Sequence, residues 1–145
     1  MSFISQEHPL TLIGKPVVGE GDNKGECAQI ARCLVPTIGN VSNWRRGAKV
    51  QGNFSLQAGT VIAIFDKHGH YANRKGGVAH TALYVRQSAI GIEIVHQFRS
   101  QACPSIKGAL VRFDGQRPPG HKSGVSHGGG TREDDARNYY VVELY

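Results

Sequence analysis

The order of the apolar runs along the chain is the feature that most constrains its fold. A helical stripe comes first, because Cys27, Ile30 and Ala31 follow one another at the spacing i, i+3, i+4. Pro36 then stops the helix, and a short turn near Ser88 joins two later runs into an antiparallel hairpin. The predicted helix covers residues 25–35, and the predicted strands cover residues 59–65, 80–87, 90–98, 108–114 and 138–145. One helix followed by about five mostly antiparallel strands predicts an α+β domain.

The length of the chain favours a single domain over residues 1–145. Residues 1–22 indicate an irregular lead-in, and the segment around Trp44 is polar and turn-rich. Residues 115–136 are rich in glycine, proline and charge, which is typical of a flexible loop. No apolar run approaches the ~20 residues of a membrane span, and the first 22 residues show no secretory signal. We therefore expect a protein made in the cytoplasm without a signal peptide.

The formal net charge of +6 favours a polyanionic partner. Nucleic acid, an anionic membrane surface and the bacterial cell wall all fit that charge. The 17 basic residues are spread along the chain, and "WRRGAK" (44–49) is the one candidate cluster. This spread argues against a nucleic-acid partner, because nucleic-acid modules gather basic and aromatic side chains on one element.

Cys27 stands at the predicted start of the helix, directly after the turn "GDNKG" (21–25). Backbone N–H groups and the helix dipole favour negative charge at this position, so they lower a thiol pKa and supply donors for a developing oxyanion. A cysteine on the apolar stripe of a helix is also a common packing residue. The glycine turn before Cys27 and the histidines further along the chain favour the nucleophile.

A nucleophilic cysteine needs a base, usually histidine, oriented by a third polar group. His80 opens a predicted strand after a glycine-rich loop, so its side chain is expected at a sheet edge beside a cleft. If the hairpin turns at residues 88–89, position 80 lies opposite Gln97 and one residue away from His96. We expect His96 to orient His80, with Gln97 as the alternative, since neighbouring strand residues point to opposite faces.

The remaining cysteines, the tryptophan and a histidine pair leave structural alternatives open. Three cysteines permit at most one internal disulfide, and their spacing fits no zinc site. Cys33 is either buried or paired with Cys103, and Trp44 is either a core residue or one wall of a substrate groove. His68 and His70 lie on a loop without a matched carboxylate, so we expect no metal and no other cofactor.

The motifs "GECAQIAR" (25–32), "GTVIAIF" (59–65), "HTALYV" (80–85) and "IEIVHQF" (92–98) occur in an order that resembles a known group of enzymes. They are similar to the NlpC-type and CHAP-type cell-wall amidases, which have a minimal papain-like fold. The resemblance is strongest to the small type VI secretion amidase effectors and covers roughly residues 20–100. It implies a papain-like α+β fold with the catalytic helix packed on the sheet.

The resemblance implies a role for each matching position. Cys27 would be the nucleophile and His80 the base. His96 would orient the base, at the position where the effectors carry an acid, and Gln97 is the alternative for this role. Substrate contacts are expected from Gly25, Glu26, Trp44 and Tyr71.

The resemblance also implies a reaction and a place of action. The substrate would be the peptidoglycan stem peptide, cleaved through a thioester acyl-enzyme. The bond would be either that between D-glutamate and diaminopimelate or the diaminopimelate–D-alanine crosslink, and we favour the crosslink. A type VI apparatus would deliver the protein to the periplasm of a target cell, and the producer would need a periplasmic immunity protein. An oxidising periplasm would permit a disulfide between Cys33 and Cys103.

Two other function classes are compatible with the sequence. One is an acyltransferase or lipid hydrolase with the same fold, although the chain shows neither the apolar surface nor the anchoring segment that lipid substrates usually require. The other is a basic module that binds a polyanion without catalysis, in which case Cys27 would be dispensable.

Overall fold

A computed structural model describes residues 2–71, 79–99, 103–114 and 135–144 of the chain. These residues form one α-helix, six strands and several short 3-10 turns. The helix is α1 (Cys27–Leu34). The strands are β1 (Trp44–Lys49), β2 (Val61–Ile64), β3 (His80–Gln87), β4 (Gly91–His96), β5 (Lys107–Arg112) and β6 (Tyr139–Leu144).

The six strands form one sheet in the order β1-β6-β2-β3-β4-β5, and every neighbouring pair is antiparallel. All four residues of β2 are buried, as expected of a central strand. β1 lies at an edge, and it is the strand that the sequence did not predict. Only Trp44 of its six residues is buried, so "WRRGAK" lacks the apolar alternation that marks a half-buried strand.

The helix α1 packs on one face of the sheet and ends where the chain meets Pro36. Its residues Ala28, Ile30 and Ala31 are buried in an apolar cluster that also contains Leu83 of β3. Val35 has already left helical geometry, because the residue before a proline is sterically kept out of that conformation. The other face of the sheet buries a second apolar cluster. One α-helix on an antiparallel sheet, within the described residues, agrees with the predicted α+β class.

A β-bulge in the β3–β4 hairpin changes the predicted pairing. Leu83 pairs with Val95 and Tyr84 with Ile94, but the register shifts by one residue before Arg86. The turn itself lies at Ser88–Ile90, close to the predicted place. Next to the turn, Gln87 pairs with Ile92, two positions beyond its predicted partner, and the bulge reduces this offset to one position. The predicted opposition of positions 80 and 97 was therefore wrong, and β4 presents its other face to the start of β3.

Residues 2–22 of the predicted lead-in contain the 3-10 turn Pro9–Leu12 and are attached to the sheet at both ends. Ile4 bridges to Thr60, and Pro16 bridges to Ser105. The predicted loop of residues 115–136 lies almost wholly outside the described residues. Its last two residues, Asp135 and Ala136, form a bridge and the start of a 3-10 turn.

Candidate active site

Cys27 is the first residue of α1 and follows a loop that closes on itself. The Gly25 N–H donates to the Val18 carbonyl at 3.0 Å. Gly25 has a φ of +90°, which an L side chain rarely adopts, so glycine is required there. The turn that the sequence analysis singled out therefore fixes the entry of the chain into the helix. It leaves the Cys27 thiol half-buried at the helix N-terminus.

Three donors surround the Cys27 sulfur. The Tyr71 hydroxyl lies 3.4 Å from Cys27 Sγ. The backbone N–H groups of Thr81 and Ala28 also contact the sulfur. Thr81 directly follows His80 in the chain, so this contact holds the thiol against the start of β3. The structure therefore places Cys27 next to the start of β3.

The environment of Cys27 acts on its pKa in two directions. Burial raises the pKa of the Cys27 thiol, and the negative charge of Glu26 adds to that rise. The Tyr71 hydroxyl and the two backbone N–H groups oppose it by stabilising the thiolate, but burial prevails. The resting group is therefore a thiol, and a base must take its proton before it can attack a carbonyl carbon.

Tyr71 is held in position as a donor toward the sulfur. The Thr81 hydroxyl donates to the Tyr71 hydroxyl oxygen at 2.7 Å, which leaves the tyrosine proton available for Cys27 Sγ. Burial raises the Tyr71 pKa well above its usual value, so the hydroxyl keeps its proton. We had expected Tyr71 among the substrate contacts. The structure places it against the nucleophile, and no spacing in the sequence signalled that position.

His80 and His96 form a hydrogen-bonded pair beside this cluster. His80 Nε2 lies 2.9 Å from His96 Nδ1, and the rings meet edge to face with centroids 5.1 Å apart. His80 is 2% exposed, whereas His96 is half-buried. The Phe98 ring packs against His96 with centroids 5.7 Å apart. The structure thus brings together the two histidines that the sequence analysis paired.

Gln97 does not occupy the position expected of the alternative partner of His80. Its side chain is fully buried and reaches the loop before the nucleophile. Gln97 Oε1 accepts from the Val18 N–H at 2.8 Å, and Nε2 donates to the carbonyls of Val18 and Glu26 at 2.9 and 2.8 Å. Both polar atoms of the Gln97 amide therefore hydrogen bond to the backbone, which argues against Gln97 as the partner of His80.

Trp44 is a core residue and does not form the wall of a substrate groove, which was the other role considered for it. Its side chain is fully buried and therefore cannot touch a substrate. Trp44 Nε1 donates to the Ile38 carbonyl at 3.2 Å, which satisfies the one polar atom of the ring. The ring packs against Tyr71 with centroids 5.0 Å apart. Trp44 thus supports the active site from behind.

The predicted disulfide is absent, because Cys33 and Cys103 are free thiols in different surroundings. Cys33 is exposed on α1 and lies near Gln29, whose Oε1 is 3.8 Å from the sulfur. Cys103 is buried and its sulfur contacts the Ser105 carbonyl at 3.3 Å. The sequence left open whether Cys33 is buried or paired with Cys103, and in the structure Cys33 is neither.

Neither metal ligands nor a membrane segment is found in the part of the chain that the structure describes. His68 and His70 are exposed, and their backbone N–H groups both donate to Asp66 Oδ1 at 2.9 Å. Within residues 2–71, 79–99, 103–114 and 135–144, no group of three or more histidine, cysteine or acidic side chains could hold a metal ion. No helix in those ranges is long and apolar enough to cross a bilayer.

Comparison with known proteins gives consistent matches over nearly the whole chain. The model of the domesticated amidase effector 2 family matches residues 1–142. A type VI secretion amidase effector 2 protein of Salmonella typhi is 28% identical over an alignment of 130 residues, and the match covers 83% of this chain and 86% of that relative. The solved structure of a type 6 secretion amidase effector 2 (Tae2) is similar with a TM-score of 0.74 at 28% identity, and the match covers 97% of this chain and 94% of that one.

These matches confirm the resemblance to type VI amidase effectors that the motifs around the predicted nucleophile and base had indicated. They also confirm the predicted papain-like α+β fold, since the solved effector aligns over both the helix and the sheet. The chain belongs to the domesticated amidase effector 2 family.

Proposed function

We propose that this chain is a cysteine amidase that hydrolyses amide bonds in the stem peptides of peptidoglycan, with Cys27 as its nucleophile. One observation carries the proposal. Cys27 Sγ lies at a helix N-terminus, against the Tyr71 hydroxyl and the Thr81 N–H, and the His80–His96 pair starts one residue before Thr81. Family membership supports the amidase activity, and the chemistry of this cluster supports the thiol mechanism.

His80 is the base in this mechanism. It takes the proton of the Cys27 thiol, and the thiolate attacks the carbonyl carbon of the scissile amide. The negative charge moves to the carbonyl oxygen, where N–H groups of the first turn of α1 and the Tyr71 hydroxyl are the available donors. The C–N bond then breaks, and the amine leaves with the proton that His80 carried.

Water completes the reaction. His80 accepts a proton from a water molecule, which attacks the thioester carbon and releases the carboxylic acid. Cys27 leaves as the thiol. His96 fixes the orientation and tautomer of the His80 ring through the 2.9 Å contact between their nitrogens. A neutral imidazole thus replaces the acid expected at this position in the effectors.

We propose that the substrate bond is the crosslink between diaminopimelate and D-alanine, with the bond between D-glutamate and diaminopimelate as the alternative. The names of the relatives support delivery by a type VI apparatus. The proposed site of action is the periplasm of a target cell. A periplasmic immunity protein that blocks the cleft would protect the producer.

Digestion of purified Gram-negative peptidoglycan tests this function. The wild type, Cys27→Ala and Cys33→Ala are compared by liquid chromatography and mass spectrometry of the released fragments. Cys33→Ala is the matched control, because it removes an exposed thiol from the same helix. The proposal expects crosslinked dimers to disappear with the wild type and with Cys33→Ala but to persist with Cys27→Ala.

Other outcomes would change the proposal in defined ways. Shortened stem peptides with intact crosslinks would move the cut to the glutamate–diaminopimelate bond and keep the mechanism. Equal digestion by Cys27→Ala would overturn the thiol mechanism. No digestion by any of the three proteins would overturn the amidase function and favour a polyanion-binding module.

A further inference from the structure

A groove of about 470 Å³ lies between the loop before α1 and the residues that follow β4. Its walls are mainly apolar and include Val17, Gly25, Phe98 and Pro104. The two charged side chains among the described lining residues, Lys24 and Arg99, are both cationic. A groove with apolar walls and cations at its edge fits an aliphatic ligand that carries an anionic group.

The groove adjoins both halves of the proposed catalytic apparatus. Gly25 stands two residues before Cys27, and Phe98 stands two residues after His96 and packs against its ring. A peptide with its scissile carbonyl at Cys27 Sγ would therefore pass one flank into this groove. On the proposed function, the groove would then form part of the substrate path.

The charges around the groove leave one cation in excess. Arg99 Nη1 lies 3.3 Å from Glu26 Oε1, and both side chains are partly exposed, at 57% and 35%. Lys24 is exposed and forms no ion pair with any residue in the described part of the chain. An incoming carboxylate would thus meet an ammonium group that has no ion pair among the described residues, and the outer edge of a guanidinium group.

We propose that this groove is a subsite for a free carboxylate of the substrate, paired with Lys24 and with the exposed edge of Arg99. The inference rests on the proposed function. At the crosslink, the carbon that bears the scissile nitrogen of diaminopimelate also bears a carboxylate. At the glutamate bond, the α-carboxylate of D-glutamate is free. Each candidate bond therefore lies within a few atoms of an anion, and the methylene chains of both residues suit the apolar walls.

The test compares two synthetic crosslinked stem peptides that differ at one group. One carries the free carboxylate next to the scissile bond, and the other carries the carboxamide. The kcat/KM of the wild type, Lys24→Met and Lys15→Met is measured on both. Lys15→Met is the matched control, because it removes an exposed lysine that is paired with Glu7 outside the groove.

The proposal expects Lys24→Met to lower kcat/KM about fivefold on the carboxylate peptide, mainly through KM, and to leave the carboxamide peptide unchanged. Lys15→Met should match the wild type on both peptides. Equal values for Lys24→Met and the wild type on the carboxylate peptide would overturn the subsite, as would equal losses on the two peptides. Failure of the wild type to cleave either peptide would instead count against the proposed function.

Discussion

At the scale of single residues, the site depends on what each polar atom near Cys27 donates or accepts. Burial raises the pKa of the thiol, so the contacts that favour the thiolate decide how much of it exists at a given pH. Tyr71 donates to the sulfur because Thr81 occupies the acceptor side of its hydroxyl oxygen. The position of Cys27 at the start of a helix predicts a nucleophile from the sequence alone. The sequence predicts no such role for Tyr71, because that contact exists only in the folded chain.

Tyr71→Phe should raise the pKa of the Cys27 thiol further. The variant removes a contact that stabilises the thiolate and keeps the ring that packs on Trp44. Because thiolate forms as pH rises through the pKa, the rise in reactivity should move to higher pH. The measurement is the rate of iodoacetamide alkylation against pH, in a Cys33→Ala background that removes the exposed thiol.

Two further variants serve as controls for the Tyr71→Phe measurement. Tyr140→Phe changes a half-buried tyrosine on β6, under the Arg46 guanidinium, and should leave the profile in place. Glu26→Gln removes a negative charge that raises the Cys27 pKa and should move the profile to lower pH. A Tyr71→Phe profile that coincides with the wild type would show that the hydroxyl does not stabilise the thiolate.

Substitution of the two histidines should lower the hydrolysis rate by different amounts. His80→Ala removes the base and should lower kcat by about 10³-fold. His96→Ala removes only the orienting contact, so the loss should be smaller, and His96→Gln should recover part of it because an amide can still hydrogen bond to His80. Steady-state hydrolysis of the crosslinked peptide measures all three variants. A His96→Ala variant as active as the wild type would remove the orienting role.

At the scale of elements, the β3–β4 hairpin decides which side chain reaches which partner. The predicted hairpin is present, with a turn that is longer than predicted. The sequence could not place the bulge before Arg86, because a one-residue insertion leaves no trace in the apolar pattern. The bulge brings His96 to the His80 face and turns Gln97 toward the loop before α1. The alternative that the sequence left open is therefore resolved by one residue of register.

Gln97→Glu tests whether the buried amide positions the nucleophile. The change preserves shape but replaces the donating NH₂ with an oxygen facing the carbonyls of Val18 and Glu26. It should destabilise the fold by about 1–3 kcal/mol and lower kcat at equal folded concentration, because a small displacement of a reacting group is costly. Urea unfolding and steady-state hydrolysis measure the two effects separately.

Gln87→Glu is the matched control for this prediction. Its amide donates to the Val50 and Asn53 carbonyls in a similar way, at 2.9 and 3.1 Å, at the far end of β3. We expect lower stability with unchanged kcat once the folded fraction is taken into account. If both variants lose activity only in proportion to their folded fraction, Gln97 is a structural residue without a positioning role.

At the scale of the whole molecule, the sheet order explains why some predictions failed. β6, from the end of the chain, lies between β1 and β2, so the first strand depends on the last one. Local sequence patterns carry no information on such distant pairing, which is why β1 was missed and the choice between a core and a groove position for Trp44 stayed open. The segments with strong apolar periodicity, α1 and β2–β4, were predicted close to their observed bounds. Three of these elements, α1, β3 and β4, hold the proposed catalytic residues Cys27, His80 and His96.

An ion pair next to β6 should make stability depend on pH. The Arg137 guanidinium hydrogen bonds to Asp135 and lowers the pKa of that carboxyl. The pair should therefore stabilise the fold above the ordinary carboxyl pKa and lose that contribution as pH falls through the lowered value. Asp135→Asn should cost under about 1 kcal/mol near pH 7, since Arg137 is largely exposed. Urea unfolding at pH 7 and at pH 3 checks this, and an equal cost at both would contradict it.

The most direct test of the central claim is interception of the acyl-enzyme with hydroxylamine. A thioester on Cys27 would partition between water and hydroxylamine, so the acyl half of the substrate would leave partly as a hydroxamate, identified by mass spectrometry. We predict that the hydroxamate forms with the wild type, increases with hydroxylamine concentration and is absent with Cys27→Ala. Wild-type hydrolysis that yields only the free acid at saturating hydroxylamine, or hydroxamate formed equally by Cys27→Ala, would contradict Cys27 as the nucleophile.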